Sequence, residues 1–235
     1  MELFPPRLPW PVGPGARPRY SLCLWLYWEH HRGVGGEFIL LSKKNISVIV
    51  TLGIGLDTKA EESLLKELPV GSLFYGADPI IGGNEQLYSK FGTYFPFAVG
   101  GKSGIYKTFV LDGGSYKERS VVHIDLTYFL SKILSHKVYD NLWIDAEGGE
   151  YEMFPAFYRD DQLDQSGITV CQFNMEVHSP NRAQKEMFRK FVFQIIRDSR
   201  YAFFRAVAIA GHIRLFAVNF DDAQCVAEYV APPDT

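Results

Sequence analysis

Three things are scarce in this sequence. No stretch approaches the ~18–20 consecutive apolar residues that a membrane-spanning helix requires. Cysteine is nearly absent: Cys23, Cys171 and Cys225 are far apart, odd in number and without a C-x-x-C pair. Neither a disulfide framework nor a zinc ribbon is therefore expected, and a reducing, cytoplasmic setting is the default. Charge of one sign is lacking too, since 24 Lys and Arg face 27 Asp and Glu for a net −3. Nothing global draws the chain to nucleic acid or to an anionic membrane. The cations Arg182, Lys185, Arg189, Lys190, Arg197 and Arg200 read as the solvated face of a helix.

Two short motifs run against these exclusions. The stretch YSLCLWLYW (20–28) follows Arg17 and Arg19, as the apolar core of a secretory signal or anchor would. Glu29-His30-His31-Arg32 follows it with no small-residue cleavage site, so the cytoplasmic reading is preferred. The sequon Asn45-Ile46-Ser47 falls at the start of a predicted buried strand, where a glycan would not fit, and is read as coincidence.

What is present suits one α/β domain of 235 residues, 47% hydrophobic and so able to fill a core. Residues 1–45 are rich in Pro and Gly and expected to be partly irregular; residues 46–230 carry the domain. ISVIVTL (46–52) is a continuous β-branched run, the mark of a strand buried on both faces. A helix over 58–68, a strand at 72–77, a short helix near 83–91 and a strand at 94–99 follow. GIYKTFVLD (104–112) and SVVHI (120–124) read as extra strands around a Gly-Gly turn, and Asp125 as the cap of a helix over 126–134. Strands at 141–145 and 168–177, a long helix over 181–199, and a hairpin from 201–209 and 213–220 complete the chain. Such alternation predicts a doubly wound, mostly parallel sheet with a C-terminal antiparallel hairpin.

Ligands of such sheets bind beyond the carboxyl ends of the strands. There the first strand offers Gly53-Ile54-Gly55-Leu56-Asp57, and the second ends in Asp78, where a carboxylate can accept both hydroxyls of a ribose or else cap the turn at Pro79. A dinucleotide fingerprint would place a third glycine where Thr58 stands. With no evident pyrophosphate seat, S-adenosylmethionine fits better than a nicotinamide dinucleotide. The densest chemistry is DNLWIDAEGGEYEMF (140–154), where an apolar strand runs into Asp145 and Glu147 around paired glycines. A carboxylate at that position favours a sulfonium, while Glu150 and Glu152 suit the first turn of a helix. In NMEVHSPN (174–181), strand alternation puts Glu176 and His178 on one side, near Asp145 if the strands are neighbours. That pair suits a proton acceptor, suits a divalent cation held with Asp145 and Glu147, and equally suits a helix partner and a cap. His123, on a strand, reads as structural.

DNLWIDAEGGEYEMF resembles the D-x-E-G-x-E motif of the FkbM-type methyltransferases, and VTLGIGLDTKAEESLL, FYGADP, FAVGGKSG and HIDLTYFL fall in that family's order. The resemblance spans about 46–220. It implies a class I, Rossmann-like methyltransferase that uses S-adenosylmethionine to methylate a hydroxyl oxygen of a small molecule, glycan or lipid. It implies that Gly53, Gly55 and Asp57 line the methionine part of the cofactor, with Asp78 on the ribose and Ala98-Val99 beside the adenine. Asp145, Glu147, Glu176 and His178 are the candidate catalytic groups, with no nucleic-acid partner and no metal required. The competing readings are a scaffold that keeps the fold without turnover and, further off, a nicotinamide-dependent oxidoreductase.

Overall fold

The computed structural model describes residues 45–209 and 211–230; the Pro/Gly-rich start, with Cys23 and the apolar run at 20–28, lies outside the described residues. Its centre is β1 (Val48–Leu52), buried along its whole length as the β-branched run predicts. On one side lie β2 (Leu73–Ala77) and β3 (Thr93–Phe95); on the other lie β7 (Val138–Ile144) and β8 (Thr169–Val177), all parallel. Then β10 (His212–Asn219) runs antiparallel between β8 and β9 (Tyr201–Ile209), giving the order β3-β2-β1-β7-β8-β10-β9. The winding direction reverses between β1 and β7, so the crevice for a ligand opens at their C-terminal ends.

The long helix α6 (Arg182–Asp198) is fixed at its start by a capping box, in which Asn181 and Gln184 exchange side-chain and backbone hydrogen bonds. It lays Phe191 and Ile195, both fully buried, onto a core that includes Phe154, Phe173 and Leu215. The shorter helices are α1 (Lys59–Glu67), α2 (Asn84–Tyr88), α3 (Leu126–Tyr128), α4 (Glu150–Met153), α5 (Gln162–Gln165) and α7 (Ala223–Tyr229). Asp125 caps α3 through Tyr128 N at 2.8 Å, as expected, and a π-helical turn continues it over Phe129–Leu134.

Four expectations are corrected. Residues 94–99 are not one strand: Pro96, which has no N–H to donate, separates β3 from β4 (Ala98–Gly100). The latter joins a second sheet, β4-β6-β5, with the hairpin β5 (Gly104–Asp112) and β6 (Ser115–Asp125). The helix α7 was not foreseen. Its Cys225 is disulfide-bonded to Cys171 of β8, so the cysteines do form a bridge, 54 residues apart in sequence, which spacing alone could not reveal. Lastly, β1 begins at Val48, leaving Asn45 exposed ahead of it rather than inside a buried strand.

Candidate active site

The C-terminal ends of β1 and β7 touch. Asp145 N donates to Leu52 O at 2.8 Å, and a Cβ on Gly53 would lie 2.0 Å from Asp145 O, so no side chain is possible there. Gly53 also has φ +85°, and Gly55 (φ +61°) faces open space. Asp78 is buried and turned into this loop: Oδ2 accepts from Ile54 N at 2.9 Å and Gly55 N at 3.3 Å, and Oδ1 from Ile80 N at 2.8 Å. A carboxylate has about four acceptor sites, so one remains for a ligand hydroxyl. Asp57 accepts from Lys59 N at 3.1 Å, opening α1. The residues expected beside the adenine diverge: Val99 is buried in the core and Ala98 is half-buried, both on β4 against β6.

Across the crevice, β8 delivers His178 into the turn after β7. Its Nε2 lies 3.3 Å from Asp145 Oδ1 and 3.4 Å from Glu147 Oε2, and its Nδ1 lies 3.3 Å from Glu150 Oε1. Glu150 is in the first turn of α4, as expected, and is fully buried there. It fastens the turn by accepting from His178 N at 2.7 Å and Gly148 N at 2.8 Å, while Tyr151 donates its hydroxyl to His178 O. Glu147 itself sits at φ +48°, a left-handed conformation that costs a non-glycine residue roughly 1–2 kcal/mol. Glu152, by contrast, stays exposed, 4.0 Å from Lys102.

These contacts set the proton affinity of His178. Burial alone pushes it down, but Asp145 and Glu150 outweigh burial by contact and by charge, so the imidazole is held up to about 10 and is a cation at neutral pH. It sits among three carboxylates as their counter-charge. The Asp145 contact is an ion pair without hydrogen-bond geometry, which leaves Asp145 Oδ1 buried with no donor. Glu176 lies on the same side of β8, where Arg214 Nε of β10 donates to it at 2.7 Å. Two overlapping donor sets, Asp145/Glu147/His178 and Glu176/His178/His212, bring ligand atoms within 4.8 Å of one another.

One contributor escaped the sequence reading. Tyr116, at the start of β6, donates its hydroxyl to Glu147 Oε1 at 2.6 Å, so the β5–β6 hairpin leans over the crevice. The hydrogen bond to Glu147, followed by burial, raises the Tyr116 hydroxyl pKa and keeps it protonated. His123, on the same strand, packs its ring against Tyr106 and has Nδ1 3.2 Å from Val121 O, outside the cluster.

Residues 26–203 match the Methyltransferase FkbM domain. The chain belongs to the FkbM methyltransferase family. A curated relative, an uncharacterized protein of Caenorhabditis elegans, is 25% identical over 206 residues, which are 87% of this chain and 64% of that one. This chain thus spans about two thirds of that relative. Among solved structures, a human methyltransferase 10 domain containing protein aligns at 13% identity and TM-score 0.42, covering 77% of this chain and 74% of that one. The 16S rRNA methylase ArmA aligns at 11% identity and TM-score 0.34, covering 75% and 76%. At such scores the likenesses add nothing to what the sheet order already says.

Proposed function

We propose that this FkbM domain transfers the methyl group of S-adenosylmethionine to a hydroxyl oxygen of a small molecule, glycan or lipid. The observation that carries the reading is the juxtaposition, at one switch point, of an open glycine loop after β1 and the Asp145–Glu147–His178 cluster after β7 and β8. The loop fits the cofactor: Gly55 leaves room, Asp78 keeps one acceptor site, and the carboxylates suit a cation. When bound, the cofactor supplies an electrophilic methyl on sulfonium.

The chain's own residues do the rest. Asp145, whose Oδ1 faces His178 while its side chain stays 26% exposed, accepts the hydrogen bond of the acceptor hydroxyl through Oδ2 and then its proton. His178, already protonated, holds Asp145 and Glu147 in place and offsets their charge as the proton moves. Glu176, tied to Arg214, orients the neighbouring wall. The same acidic lining disfavours a phosphate backbone as acceptor.

Calorimetric titration of the purified chain with S-adenosylmethionine, S-adenosylhomocysteine and NAD tests the reading. Micromolar binding of both adenosyl ligands with none of NAD is expected, followed by turnover in a screen of hydroxylated acceptors that Asp145→Asn abolishes. Binding of NAD alone would sink it. Adenosyl binding with no turnover on any acceptor class would favour the scaffold.

A further inference from the structure

Two features far from the crevice call for the same surroundings. Cys171 and Cys225 are joined, 1% and 0% exposed, and packed against Tyr229 and Val138. A bridge of this kind persists where thiols are oxidised and is rare where glutathione keeps them reduced. Independently, Asn45-Ile46-Ser47 has the acceptor pattern for N-glycosylation, and its asparagine is exposed ahead of β1. Among the described residues, the Asn45 amide donates to the half-buried Glu228, at Oε1, over 3.3 Å. Asn45 precedes the N-terminal end of β1, while Gly53 and Asp145 lie at the opposite edge of the sheet. A sugar chain there stands clear of the crevice.

We infer that this domain matures in an oxidising lumen, where Cys171 and Cys225 are joined and Asn45 carries an N-linked glycan. In the first step the two thiols give two electrons and two protons to a disulfide-bearing oxidoreductase, which leaves as a dithiol. In the second, the Asn45 amide nitrogen attacks the anomeric carbon of a lipid-linked oligosaccharide. The N–C bond forms, the lipid pyrophosphate departs, and the amide loses one proton. The inference replaces the cytoplasmic default, which rested on reading the cysteines as unpaired and on the missing cleavage site after 20–28, and it does not depend on the methyl-transfer reading.

The test expresses the full chain in cultured animal cells, both as it stands and behind a cleavable secretory leader. Each product is alkylated without reduction, digested for peptide mass spectrometry, and run on gels with and without an N-glycanase. The leader-routed chain is expected to show linked Cys171 and Cys225 peptides and one glycanase-sensitive step that Asn45→Gln removes. The chain retained in the cytosol is expected to keep both thiols free and to melt at lower temperature. A leader-routed chain with alkylated cysteines, or without the glycanase step, would overturn the inference. So would a cytosolic chain with free thiols that melts with the oxidised one.

Discussion

At the residue scale, the instructive groups are buried and charged. His178 has its proton affinity raised in the fold to about 10, so its contribution to stability is complete below its ordinary value of 6.5 and is lost as pH rises through 10. His178→Ala leaves Asp145, Glu147 and Glu150 without their cation. Denaturant melts at pH 7 are expected to show a loss of about 3 kcal/mol, which fades only as pH rises through 10. Glu61 is the second case. It lies on the buried face of α1, accepting from Thr51 Oγ1 at 2.9 Å beside the hydroxyl of Tyr88, and burial, tempered by its hydrogen bonds, lifts it to about 7. Since the folded value exceeds the ordinary 4.5, this contribution is full below pH 4.5 and is lost as pH rises through 7. The loss amounts to roughly 3 kcal/mol. Glu61→Gln is expected to flatten the stability profile between pH 5 and 8, and a profile unchanged by the substitution would refute the assignment.

At the element scale, the β5–β6 hairpin reaches the crevice through Tyr116. One neutral-to-charged hydrogen bond is worth about 1.5–3 kcal/mol at most, and less at an exposed site. Tyr116→Phe is therefore expected to raise KM for the acceptor about tenfold or less while kcat stays within about twofold. A fall in kcat with KM unchanged would instead place the hydroxyl in the chemistry. Much of the frame was legible in the sequence. The β-branched run at 46–52 announced β1, and alternation in NMEVH put Glu176 and His178 on one side, because a period of two leaves no choice of face; of the two, His178 meets Asp145. What escaped was set by contacts remote in sequence. Tyr116 meets Glu147 across 31 residues, Glu150 is buried only because β8 covers it, and Asp78 is drawn to the glycine loop by backbone N–H groups that no side-chain pattern encodes.

At the scale of the whole molecule, the two edges of the sheet have different duties. The C-terminal ends gather the acids, while α7 closes the other side, with Tyr229 donating to Asp140, which in turn accepts from Val48 N at 2.6 Å. The bridge to Cys225 fastens that helix. A loop of 54 residues closed in this way contributes about 2–5 kcal/mol. The Cys171→Ser/Cys225→Ser pair is expected to lower stability by that amount while leaving affinity for S-adenosylmethionine unchanged, since α7 packs at the opposite ends of the strands from Gly53 and Asp145. The contact of Gly53 with Asp145 has the opposite character, because it leaves no slack between the loop that would greet the donor and the acid that would greet the acceptor. Neither can settle without the other, and the coupling runs equally in both directions. Each ligand is expected to tighten the other's Kd by the same factor in calorimetric titrations, and independent Kd values would mean that the two strand ends move apart.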